Sequence, residues 1–412
     1  MDDMPFTIVE HPMGGIAPKL AASKADKVVD DIIEKATKSM PKSMKAKKHK
    51  AYPAPLVSVK DTIEEVNNLF YRNAWSDGLP IIPPTPERVE KMLSGTNLKP
   101  DQIIGFIPPR MGAATVQIIA INAVMAGAKP EHLPIIIAAI KASLQPEVML
   151  RRWLTTTRPN IVSMFVQGPI VKELGIHYGQ SALLPGPKPN AVIGRAFIMT
   201  LNLLGGVISP PDRIGTMTTL GLPNYSFCLG ENEDALPQGW NSLRVDSGCD
   251  PEDSVVSVFG TTLPVMQNDH DSTNGRDLLM STCYRIGGQL GRVGGFPDYP
   301  GMVILFGPEH ASSIDSDGFS KEDVKQFIFE NSKIPREWLV KGGLWHISIE
   351  HQPNWIRKEV TDLIPMVHAF NSPDQITITV AGGTGKQSLL GIGLANTPPV
   401  VIQGATITQA GH

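Results

Sequence analysis

Cysteine is scarce, with three in 412 residues, at 228, 249 and 283. An odd and widely spaced set excludes a disulfide framework and fits a reducing, cytoplasmic setting. Charge of one sign is also lacking. Lys and Arg number 37 against 40 Asp and Glu, a net charge of −3. Such a balance supplies no field to attract nucleic acid or an anionic membrane, so neither is expected as a partner. No long hydrophobic run is present. The most apolar stretch, Leu133 to Leu144, contains Pro134 and Lys141 and is too short to span a bilayer. The first twelve residues carry acids and a proline where a secretory signal needs a basic start and an apolar stretch. What is present is core-forming material, at 42% hydrophobic residues, together with 38 Gly and 36 Pro. The first excludes global disorder, and the second implies many tight turns.

The order of local patterns predicts a layered α/β fold, a mixed sheet with helices on its faces. The expected division is an N-terminal helical extension over 1–40, a basic Pro-containing linker over 41–57, and two α/β domains over 58–225 and 226–412. In the extension, 6–11 reads as a short strand and 18–37 as one amphipathic helix striped by Val28, Val29, Ile32, Ile33 and Ala36. That exposed stripe predicts an oligomer. Lys42, Lys45, Lys47, Lys48 and Lys50 mark the linker. Ser58 and Asp61 are placed to cap a helix over 59–72, and Thr85 with Pro86 opens the next. Strands follow at 103–107, 161–166, 255–259, 302–306 and 376–380. Helices are expected at 115–126, 131–144 and 191–204, and another behind Ser320 and Asp323. No internal repeat is evident.

Several segments can carry chemistry. Ala381-Gly382-Gly383-Thr384-Gly385-Lys386-Gln387-Ser388 follows an expected strand, so its backbone N–H groups can converge on an anion. Gln387 stands where a Walker loop needs Ser or Thr, and Ser388 replaces the third glycine of a dinucleotide fingerprint. Gly382, Gly383, Gly385, Lys386 and Ser388 are therefore expected to bind a small anion, against the alternative of a plain tight turn. Cys228 precedes Glu231 and Asn232, so a thiol stands near a carboxylate and an amide. Cys228 as nucleophile requires exposure and a cationic neighbour; otherwise it is core. His270 lies between Asp269 and Asp271, as an oriented base or within an Asp-rich turn. His310 in Gly307-Pro308-Glu309-His310 stands at a strand-to-helix junction, as acid/base or cap. Arg110 after strand 103–107 is a carboxylate clamp or a surface arginine. The acids around Cys249 raise its pKa, and Cys283 is expected inside a helix. No metal ligand set and no cofactor is expected.

Five of these stretches occur together. They are Asp77-Gly78-Leu79-Pro80 with Pro83-Pro84-Thr85, Asn122 to Gly127, Tyr225-Ser226-Phe227-Cys228, Gly307 to Ala311, and Ala381 to Lys386. In this order they resemble a group of large bacterial proteins associated with the UGSC family. Members of that family are small proteins with a Sec-Gly-Ser-Cys motif, similar to the selenoprotein component of glycine-reductase-type enzymes. The resemblance covers roughly residues 58–400. Phe6 to Ile16 resembles the tail of the small partner. The Sec-Gly-Ser-Cys motif is absent, and Ser247-Gly248-Cys249 has its letters in another order. The resemblance implies a subunit of a thiol- or selenol-dependent enzyme, a reductase or a C–heteroatom cleaving enzyme, acting on a small anionic substrate. The reactive chalcogen would then sit on a small Cys- or Sec-containing partner. Two alternatives stand beside it: a self-contained hydratase or lyase using His310, His270 or Glu231, and a non-catalytic scaffold.

Overall fold

The computed structural model describes the chain outside residues 1–6, 11–16, 39–51, 60–61, 157–159, 208–224, 263, 290–300, 336–364, 394–396 and 404–412. It divides into two compact units, residues 1–50 and 51–412. The basic stretch 42–50 lies outside the described residues.

The first unit holds α1 (Pro18–Asp26) and α2 (Val29–Lys38), so the single helix expected over 18–37 is broken by a turn at Lys27-Val28. Asp30 and Asp31 sit in the first turn of α2, where acids favour the helix N-terminus. Thr7 donates to Asp31 Oδ2 at 2.9 Å, and Lys35 pairs with the same oxygen at 2.7 Å. Residues 7–10 form no strand, which corrects the strand expected at 6–11 over its described part.

The second unit opens with α3 (Ile63–Arg72). Its cap is Thr62, whose hydroxyl accepts from Glu65 N at 3.2 Å, and not Ser58. The pattern Thr62-x-x-Glu65 lies immediately before the helix, where a hydroxyl can reach the third N–H. Then come α4 (Pro86–Leu93), a hairpin of β1 (Ile103–Ile107) and β2 (Gly112–Thr115), and α5 (Val116–Ala126), α6 (Leu133–Ser143) and α7 (Leu150–Thr155). Thr115 caps α5, and Gly127 ends it at φ 84°, a left-handed angle that favours glycine. The chain continues through β3 (Asn160–Gln167), α8 (Ile170–Glu173), α9 (Lys188–Gly205), β4 (Cys228–Gly230), α10 (Leu243–Asp246), β5 (Val255–Thr262) and β6 (Val265–Asn268). After α11 (Gly275–Gln289) come β7 (Met302–Phe306), α12 (Pro308–Ser316), α13 (Lys321–Asn331), and a small pair of β8 (Lys333–Pro335) and β9 (Met366–His368). The last strands are β10 (Ile376–Val380), β11 (Gln387–Ile392) and β12 (Val400–Val401).

Two four-stranded mixed sheets stack face to face, ordered β12-β5-β3-β4 and β10-β7-β11-β6. Period-two alternation along the strands sorts the core into layers. Val162, Met164, Val166, Val256 and Val258 point to α5, α6 and α9. Phe165, Phe259 and Leu229 point the other way and meet Val303, Leu305 and Ala381 of the second sheet. Met302, Ile304, Phe306, Ile376, Ile378 and Val380 cover α11, α12 and α13. The result is helices, sheet, sheet, helices.

The two sheets repeat one plan. In each, a parallel pair joined through helices (β3 with β4, β7 with β10) is followed by a strand antiparallel to the first (β5, β11). Each plan then sends its next strand to the other sheet: β6 pairs with β11, and β12 with β5. The same backbone bond closes both crossovers, Glu231 N to Val166 O at 3.1 Å and Ala381 N to Phe306 O at 3.2 Å. Gly168-Pro169 and Gly307-Pro308 occupy matching places, each glycine crowded by the backbone of the returning chain. The sequence reading found no repeat, because the match lies in strand directions while the loops differ in length. The exchange also removes the domain boundary expected at 225/226. Strands β4, β5 and β12, all later than 226, share a sheet with β3.

On the flank of α9, Arg195 forks Asp77 with Nε to Oδ2 and Nη2 to Oδ1, both at 2.8 Å, and Nη2 also donates to Pro80 O at 3.0 Å. This fixes the Asp77-Gly78-Leu79-Pro80 turn. Among the described residues no single helix is long and apolar enough to cross a membrane.

Candidate functional site

The segment Ala381 to Lys386 joins β10 to β11 and arches over the C-terminal end of β7, which lies between them. It leads into a strand and not a helix. Its own chain therefore brings no helix N-terminus to the loop; α12, which starts after β7, does. Gly307, the N-cap of α12, lies beneath the arch, and its N–H donates to Gln387 O at 3.1 Å.

The three glycines answer to geometry. Gly382 and Gly385 have φ of 95° and 138°. At Gly383 an added Cβ would come within 2.7 Å of Gln180 Cα, so only glycine lets the two backbones approach. The loop is pinned from the first sheet's side: Gly382 N donates to Tyr178 O at 2.8 Å, and Asn232 Nδ2 donates to Gly382 O at 2.9 Å. Gly385 N donates to Glu309 Oε1 at 3.1 Å. Among the described residues the N–H groups of Gly383 and Thr384 make no hydrogen bond.

Between this loop and the segment Gln180 to Leu184 opens a cleft of about 330 Å³. One wall is loop backbone with Gly307. The facing side carries Leu183, Leu184, Met266, Leu305 and Leu389, with Gln180 and Ser181 beside them. The other half has the long connection 231–254 in place of this loop, and it reaches the helix side of the second sheet. Trp240 packs edge-on against Phe306 and donates its indole N–H to Phe319 O at 2.9 Å.

The sequence-predicted residues fall into three groups. Gly382, Gly383, Gly385 and Ser388 border the cleft. Ser388, however, shares a strand face with Leu390, which packs among the α11–α13 helices. Its hydroxyl accepts from Gly307 N at 3.1 Å and donates to His310 Nδ1 at 2.8 Å. With that acceptor role at Nδ1, the imidazole carries its proton on Nε2 and donates to Asp269 O at 3.3 Å. His310 is thus buried behind β11 with both ring nitrogens engaged, and burial lowers its pKa. It braces the arch from the side away from the apolar wall.

The second group turns away from the cleft. Lys386 Nζ donates to His270 O and Ser272 O, each at 3.4 Å, and does not line the cleft. This corrects the expectation that Lys386 meets a bound anion: its neighbours Gly385 and Gln387 border the cleft, and Lys386 points between them to the 269–272 turn. His270 is exposed in that turn, which Asp269 organises by accepting from Asp271 N and from Ser272 N and Oγ. Arg110 sits in the β1–β2 hairpin, a separate two-stranded sheet, where its N–H donates to Gly205 O at 3.2 Å and its stem packs on Gly206. β1 belongs to neither large sheet, so Arg110 does not stand at the sheet edge that carries the loop.

The third group is buried. Cys228 lies in the core, and burial pushes its thiol up to about 12. Burial lifts Cys283, inside α11, to about 11, and burial together with Asp253 raises Cys249. Each is held as a thiol, and the condition for a nucleophilic Cys228 is not met. At pH 8 a disulfide reagent is therefore expected to modify Cys249 first in the native protein, with Cys228 and Cys283 reacting only after denaturation. Mass spectrometry of the labelled peptides checks this, and rapid native labelling of Cys228 would contradict it. Glu231 lies in the seam between the sheets, accepting from Leu243 N at 3.0 Å and Thr379 Oγ1 at 3.0 Å. Burial lifts its pKa to about 7.

Sequence reasoning missed Tyr178 and the Gln180–Leu184 wall. They carry no motif, and only the stacking of the sheets brings them to the loop. Comparison with family models, curated proteins and solved structures gives no match to this chain.

Proposed function

We propose that the chain is the substrate-holding subunit of an enzyme, with a small anionic substrate bound under the glycine loop. The observation that carries the reading is the loop itself. Two adjacent backbone N–H groups, of Gly383 and Thr384, are left without internal partners beside an open cleft, close to the N-terminus of α12. Convergent N–H groups and a helix N-terminus favour an oxyanion without a side-chain cation. Of the nearby charged groups, Lys386 faces the 269–272 turn, and the Glu309 carboxylate is held by the loop's own Gly385 N.

The same observations bear on who supplies the reacting group. The chain's three cysteines are held as thiols, and His310 is engaged at both nitrogens. This favours a thiolate or selenolate brought by a small partner, as the resemblance to proteins of the UGSC group implies, over a hydratase or lyase working through His310. A cytoplasmic, oligomeric assembly goes with that reading.

Calorimetry tests it. Small carboxylates are expected to bind the wild-type chain. Gly383→Val, which drives a side chain into Gln180, is expected to weaken that binding at least tenfold, the loss of about one charge-assisted hydrogen bond. ATP is expected not to bind. Tight ATP binding, or unchanged carboxylate affinity in the variant, sinks the reading. Turnover of the bound anion by the isolated chain would favour the hydratase or lyase instead.

A further inference from the structure

The cleft has two unlike walls, and their contrast narrows the ligand. We infer that its occupant is a short aliphatic monocarboxylate, with the carboxylate on the Gly383 and Thr384 N–H groups and the hydrocarbon chain along Leu183, Leu184, Met266 and Leu389. This rests on the anion-binding reading above and specifies the substrate class.

A planar carboxylate presents two oxygens to two neighbouring N–H donors. Beyond these N–H groups the described lining offers neutral donors, from Gln180, Ser181, Thr384 and Gln387, and no cation for a second carboxylate or a phosphate. Lys386, the nearest lysine in the loop, is turned to His270 O and Ser272 O on the far side. The wall facing the loop instead offers aliphatic side chains. Leu184 and Met266 stay 63% and 50% exposed, and Leu183 43%. Large apolar side chains left in water around a concavity mark a surface that gains by being covered. The cleft's volume of about 330 Å³ is at the small end for ligand sites, which suits a chain of a few carbons.

The test is calorimetric titration of the full chain with acetate, butyrate and hexanoate, and with succinate, inorganic phosphate and 1-hexanol as controls. Affinity is expected to rise about fourfold per methylene from acetate to hexanoate. Succinate, phosphate and hexanol are expected to bind at least tenfold more weakly than hexanoate. Leu184→Ser, at an exposed position that the fold does not need, is expected to lower hexanoate affinity several-fold while leaving acetate unchanged. Flat chain-length dependence, or succinate or phosphate binding as tightly as hexanoate, overturns the inference and leaves the anion reading standing. Failure of every anion to bind the wild-type chain overturns both.

Discussion

Glu231→Gln is expected to remove a pH dependence of stability worth about 3 kcal/mol. Glu231 is buried in the seam between the sheets, and its pKa stands at about 7 against an ordinary value of 4.5. Burial is the leading cause. The charge of Lys321 and hydrogen bonds from Leu243 N and Thr379 pull the other way, and Glu233 adds to the rise. The sign follows. A carboxyl whose pKa is raised on folding contributes stability that is fully present below pH 4.5. That contribution is lost as pH climbs toward 7, because the folded state must then hold a buried charge or keep a proton the unfolded chain releases. Urea titrations of wild type and Glu231→Gln between pH 4.5 and 8 should diverge over this window. The wild type should lose stability relative to the variant as pH rises. Parallel curves would show that Glu231 is solvated or fully offset by Lys321. The effect reaches the cleft, since Asn232, the next residue, holds both Val380 O and Gly382 O. Loosening this seam at high pH is expected to weaken ligand binding under the loop as well.

Arg195→Ala is expected to cost about 3 kcal/mol, the usual scale for breaking a mostly buried ion pair by removing one partner. The guanidinium is 17% and the Asp77 carboxylate 12% exposed. Its loss strands a carboxylate and removes the donor to Pro80 O. Arg195→Lys should recover only part, because an ammonium cannot make the two parallel bonds of the fork. Combining Arg195→Ala with Asp77→Asn should recover more than Lys does, by removing the orphaned charge. Chemical denaturation of wild type, Arg195→Ala, Asp77→Asn and the double variant forms the cycle, with Arg195→Lys measured beside them. A loss below about 1 kcal/mol in Arg195→Ala would mean that the pair behaves as a surface salt bridge.

Much of the element content was legible because local rules govern it. Gly127 and Gly206 stop their helices in left-handed conformations, at φ 84° and 68°. Ser320 and Asp323 form the capping box at α13, and Pro308 opens α12. The strand over 376–380 and the glycine loop after it were both recognisable, as were four of the residues that border the cleft. For the charged and reactive candidates the sequence left two placements open, for one recurring reason. Whether Lys386, His310, Arg110 or Cys228 faces a ligand, a turn or the core depends on which side of a strand it occupies and what lies opposite. That partner comes from a distant part of the chain.

By itself the sequence determined the α/β character, the turns that need glycine, and the glycine loop that follows the strand over 376–380. These follow from φ, ψ preferences, hydrogen-bonding caps and the two-residue period of a strand, all of which act between near neighbours. Only the tertiary structure decided that the chain after residue 50 forms one interlocked unit. In it, each half lends an edge strand to the other's sheet, and the glycine loop comes to face Leu183 and Leu184. Those outcomes are set by strand pairing and by burial between the sheets, interactions whose partners no local window contains.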